Sequence, residues 1–88
     1  MKKTSMPPRH SIETAYSFFH QKLRVYAHSS LPWQRDDIEL AVGDYAQTMD
    51  TELYAQLAQG DPTFLRDHTH FDKHLAQAVA TLEHMLFG

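Results

Sequence analysis

The sequence predicts an all-α protein, a three-helix up-down-up bundle with a short extra helical turn before the last helix. Apolar residues recur at steps of three and four in three separate stretches, the spacing that lines one face of an α-helix. No segment of useful length alternates apolar and polar residues, so no strand is expected. With 88 residues there is room for a single core, and a chain of that size buries roughly 60–65% of its unfolded surface.

Residues 1–10 hold Pro7-Pro8 and no apolar period, which reads as a flexible N-terminal arm ahead of a single helical domain over 11–88. Ser11 is a good N-cap for a first helix over 12–28, whose stripe is Ile12, Tyr16, Phe19, Leu23 and Tyr26. Pro32 suits the first turn of a second helix, and Asp36, Asp37 and Glu39 suit its positive end. That helix carries Ile38, Val42, Tyr45, Met49, Leu53 and Leu57. It is expected to run unbroken over 33–59, although Asp50 could cap a new start, and to end at Gly60. Asp61-Pro62 opens the extra turn. The last helix, over 70–86, is marked by Phe71, Leu75, Ala78, Leu82 and Met85, with Thr69 and Asp72 spaced as a capping box.

The formal net charge of −3 conceals an asymmetry. Residues 1–35 hold six fixed cations against Glu13, a net of +5, and residues 36–88 hold ten acids against Arg66 and Lys73, a net of −8. Helices of opposite charge packing together account for this most simply. An acidic chain is a poor phosphate binder, and the last helix carries Lys73 as its one fixed cation, so nucleic acid is an unlikely partner. The absence of cysteine removes disulfides, thiolate metal sites and a cysteine nucleophile, and favours a reducing, cytoplasmic setting. Lys2 and Lys3 are followed by no apolar segment of a signal peptide, and no run is long enough to span a membrane.

Seven histidines are the compositional oddity, four of them at His68, His70, His74 and His84. Protonating all seven would move the formal charge from −3 to +4. His70 and His74 are one helical turn apart, so with Asp67 or His68 they could share a zinc or nickel ion. The commoner role for such residues is a solvated or partly packed polar face. Phe18, Trp33, Tyr54 and Phe87 lie off the main apolar stripes. Phe18 and Tyr54 widen the apolar faces of the first two helices, and Trp33 either closes over the first loop or stands exposed, so the four are candidates for an interface, the alternative being a monomer whose extra turn covers them. No glycine-rich phosphate loop, nucleophile elbow or zincin motif is present, so an enzyme is not expected.

The stretch from Ala15 through Tyr16, Ser17, Phe18, Phe19, His20 and Gln21 to Lys22, with that from Trp33 through Gln34, Arg35, Asp36, Asp37 and Ile38 to Glu39, resembles short uncharacterised proteins of Bacteroidetes-type bacteria. The resemblance spans the first two helices and lends no residue a role. The expected function is that of a small helical protein–protein interaction module that associates with itself or with another protein. The alternatives are a divalent-metal binder through the histidine-rich segment and an accessory nucleic-acid binder.

Overall fold

The structure, a computed structural model, describes residues 8–88. Among them are four helices and no strand: α1 (Arg9–His28), α2 (Pro32–Thr48), α3 (Thr51–Ala58) and α4 (Phe71–Phe87). Most of the expected N-terminal arm lies outside the described residues. Arg9 and His10, placed in that arm, are already helical, and Ser11 is inside α1 and not its cap. Pro8 takes the cap position through its carbonyl, which accepts from the Ile12 N–H at 3.2 Å. An ion pair between Arg9 and Glu13 at 3.1 Å spans the first turn.

The expected long second helix is two helices. Met49 is extended, and the Asp50 carboxylate accepts from the Glu52 and Leu53 N–H groups at 2.9 and 3.1 Å. Asp gains little inside a helix but satisfies two orphan donors at its start, so the break wins locally. The apolar period runs straight across this junction and hides it. α3 ends in two left-handed residues, Gln59 (φ 52°) and Gly60 (φ 83°). Only the glycine is without steric cost there.

The expected extra helical turn is instead a pair of tight turns. Phe64 N–H donates to the Asp61 carbonyl at 3.2 Å and Arg66 N–H to the Thr63 carbonyl at 2.9 Å. Asp61 does cap, accepting from both the backbone N–H and the hydroxyl of Thr63. Helix cannot continue because Leu65 sits at φ 61°. The Thr69/Asp72 capping box does not form either. Asp67 takes the Thr69 N–H at 3.0 Å, and Asp72, one methylene shorter than glutamate, turns to the Lys73 N–H at 2.8 Å.

α1 and α4 are antiparallel. The Tyr16 hydroxyl donates to Glu83 at 3.1 Å near one end, and the Tyr26 and Phe71 rings meet at 5.1 Å near the other. α2 also runs against α1, since Tyr26 meets Glu39 and Phe18 meets Tyr45. α3 and residues 59–70 carry the chain back, past a contact of the Leu57 carbonyl with Gln77 to one of His68 with Glu39. The course is up-down-up-down and not the expected up-down-up, because the Asp50 break adds a reversal. Ile12, Ala15, Phe19, Val42, Leu53, Leu57, Phe64, Leu75 and Leu82 fill the core. Each of the larger ones contributes about 1.5–3 kcal/mol by leaving water.

The Asp50 cap is testable. Asp50→Ala is expected to lower unfolding free energy by about 1 kcal/mol in urea titrations, with Asp50→Ser retaining most of it. An Ala variant as stable as the parent would show that something else holds the break.

Candidate functional site

Tyr26 and α2 build one end of the molecule. α1 stops at Ser29, which is extended, and Pro32 starts α2 three residues later. Arg35 locks this corner: its Nε donates to the Ser29 carbonyl at 3.1 Å, a terminal nitrogen reaches the Tyr26 carbonyl at 3.4 Å, and its guanidinium lies 4.6 Å from the Tyr26 ring centre. A cation on the last carbonyls of a helix is favourably placed. The Ser29 hydroxyl donates to Gln34 at 2.7 Å. With the corner fixed, Asp36 and Glu39 face residues 66–70.

Glu39 is the hub. Its carboxylate accepts from the Tyr26 hydroxyl at 3.0 Å and pairs with His68 Nδ1 at 2.8 and 2.9 Å. Burial, and then the hydrogen bond and charge of Glu39, push the Tyr26 phenol up to about 12. The hydrogen bond and charge of Glu39 also raise the His68 pKa above its usual value, with smaller help from Asp36 and Asp67. Asp36, Glu39 and His68 each present one ligand atom, all within 4.8 Å of one another. Asp36 and His68 line an open cleft with Tyr26, Arg35, Thr69 and Asp72.

Of the four residues expected to share a metal, Asp67, His68, His70 and His74, the structure pairs Asp67 with His70 and gives His68 and His74 other partners. His68 goes to Glu39. His70 Nδ1 lies 2.6 Å from Asp67, whose carboxyl is held below its usual range chiefly by that hydrogen bond. His74 is buried, 8% exposed. Its Nδ1 accepts from the Leu65 N–H at 3.0 Å, its ring packs on Phe64, and its Nε2 lies 3.5 Å from Asp61. A ring nitrogen accepting a backbone N–H has no free lone pair, so in this geometry the proton is on Nε2, facing Asp61. His74 is thus occupied in holding a left-handed, buried leucine. The partners that sequence reasoning missed, Asp36 and Glu39, were read only as helix-dipole acids. Nothing in local spacing joins either to His68, which lies 29 positions beyond Glu39.

The four interface candidates also divide. Phe18 stacks on Tyr45 with centroids 4.2 Å apart, beneath the Lys22 ammonium. Tyr54 packs edge-on to Phe64 and donates to its carbonyl at 2.8 Å. Both join the internal packing. Trp33 and Phe87 are exposed, at 62% and 70%, although the Phe87 ring leans edge-on to Tyr16. Leu40, unremarked in the sequence, is 68% exposed. It follows Trp33 by two helical turns and so shares its side of α2. Asp36, Asp37 and Asp44, all exposed, flank that stripe. Among the described residues no helix is long and apolar enough to cross a membrane. Comparison of the chain with protein-family models, curated proteins and solved structures returns no match.

His74→Leu is expected to cost about 1–3 kcal/mol in denaturant unfolding, because it strands the Leu65 N–H in the core. His74→Asn, whose Oδ1 can take the place of Nδ1, should cost less; equal losses would deny the hydrogen bond its role. The carboxylate pairs also set a pH dependence. The raised His68 pKa adds stability that is complete below its ordinary value of 6.5 and is lost as pH rises through the native value. The lowered Asp67 pKa adds stability above its ordinary 3.8 that is lost as pH falls through the native value. Histidine NMR titrations should place the His68 midpoint above 6.5, and Glu39→Gln should bring it down; an unmoved midpoint would count against the pair.

Proposed function

We propose that this protein is a small helical interaction module that pairs with a second copy of itself through the outer face of α2. The observation that carries this reading is the Trp33–Leu40 stripe, two large apolar side chains mostly in water on a helix that buries only Ile38 and Val42. An exposed tryptophan beside a leucine is unfavourable for a monomer, and tryptophan and arginine dominate contact energetics between proteins.

Charge names the occupant. The stripe is rimmed by Asp36, Asp37 and Asp44, whereas the neighbouring outer surface of α1 offers Arg24 beside the exposed Val25. Arg24 and Val25 line one groove with Gln21, His28 and the α2 residue Gln34. In a two-fold pair, Trp33 of each copy enters the partner's groove, under its Arg24, so every contact is made twice. Arginine over an indole face adds about 0.5–2 kcal/mol per contact.

Sedimentation equilibrium is expected to give a dimer that weakens with added salt, as contacts between exposed charges are screened. Trp33→Ser with Leu40→Ser should yield a folded monomer, and Arg24→Glu a weaker dimer. A parent chain that stays monomeric at millimolar concentration, or a doubly substituted chain that still dimerises, would refute the proposal.

A further inference from the structure

We propose that Asp36, Glu39 and His68 form a binding site for one divalent transition-metal ion at the end of the molecule where α2 meets residues 66–70. The inference does not rest on self-association, although Asp36 and Ser29 border both surfaces.

The donor set is the first argument. Two carboxylates and one imidazole present ligand atoms mutually within 4.8 Å, close to the roughly 3–4 Å separations that bonds of about 2.0–2.2 Å impose, with Asp36 and His68 exposed and Glu39 half-buried. Mixed oxygen and nitrogen donors select zinc, nickel, iron or manganese over calcium and magnesium, which prefer oxygen alone. The ligands come from separate elements, with α2 supplying the acids and the approach to α4 supplying the histidine.

The support around the ligands is the second. Tyr26, 4% exposed, stands behind Glu39 and donates to its Oε2 at 3.0 Å, which orients the carboxylate. Tyr26 is itself fixed by Arg35 and Phe71. The Arg35 charge opposes a cation, but it is drawn towards the Tyr26 ring and the α1 carbonyls. Asp72, on the same cleft, and Asp67, next to His68, add negative potential.

The third is what holds the place now. A proton on His68 Nδ1 is shared with both Glu39 oxygens at 2.8–2.9 Å. From the imidazolium form, whose Nε2 keeps its own proton, a metal ion replaces the proton on Nδ1: the Nδ1–H bond breaks, an Nδ1–metal bond forms, and the proton leaves to solvent. Binding therefore strengthens as pH rises. The cleft is open, so the remaining coordination positions fall to water.

The test uses the full, tag-free chain and nickel or zinc ions in calorimetry near neutral pH. One ion per chain is expected, with proton release that varies with buffer ionisation heat. Affinity should fall roughly tenfold or more in His68→Ala and Glu39→Gln, and in Tyr26→Phe through loss of orientation. His70→Ala and His84→Ala should bind as the parent does. Manganese added to the parent should broaden the His68 ring resonances before those of the other histidines, a readout that needs no variant to fold. No binding heat, parental affinity in His68→Ala, or broadening that begins at His70 would overturn the site.

Discussion

The antiparallel seam between α1 and α4 is the contact on which the rest depends. Ala15 and Phe19 of α1 and Leu75, Ala78 and Leu82 of α4 are buried with no exposure, and side chains of facing helices interdigitate in such a seam. The seam sets Tyr26 against Phe71 at one end and Tyr16 against Glu83 at the other. Tyr26, once held, becomes the surface on which Arg35 lies and the donor that positions Glu39. The candidate metal ligands are thus the last step of a chain of contacts that begins with the α1–α4 seam.

α2 is bound more lightly than the helices of the seam, and its sides do different work. Ile38 and Val42 face the core, Glu39 and Asp36 face His68, and Trp33 and Leu40 face water. A helix that buries only Ile38 and Val42 and leaves an apolar outer stripe in water is lightly packed. The corner formed by Ser29, Arg35 and Gln34 compensates by fixing its start through hydrogen bonds and not through burial. The groove beside that corner lies next to the same acids, so docking and ion binding would occupy adjacent surfaces.

α1 and α4 were legible because their apolar spacing is long, regular and answered by one large partner face. The α2–α3 break was visible only as an option, since Tyr45, Met49, Leu53 and Leu57 keep helical spacing on both sides of Asp50 while a two-donor cap decides the matter. The site was less legible still. His74 shares a polar spacing with His70, yet its burial answers a need created by Leu65, whose left-handed backbone no local pattern announces. Glu39 and His68 meet only because the chain reverses at Asp50 and again before α4, so their pairing is a property of topology.

Three of the seven histidines then have a physical account. His68, His70 and His74 face Glu39, Asp67 and Asp61, respectively, one acid for each imidazole. All three pairs secure residues 61–74, the stretch with the least regular structure among the described residues. That segment has few apolar side chains besides Phe64, Leu65 and Phe71, so burial alone cannot order it. An imidazole suits the task better than a lysine would, because it can accept a backbone N–H at one nitrogen and face an acid with the other, as His74 does. The pairs differ in what they leave available. His74 is enclosed with both nitrogens committed, and His70 is satisfied within its own turn. His68 alone combines an exposed ring with a half-buried carboxylate and a second acid nearby. A fastening made of a proton between two ligands is also the arrangement a metal ion can replace without moving the backbone, and His68 is the one member of the set where that exchange has room to occur.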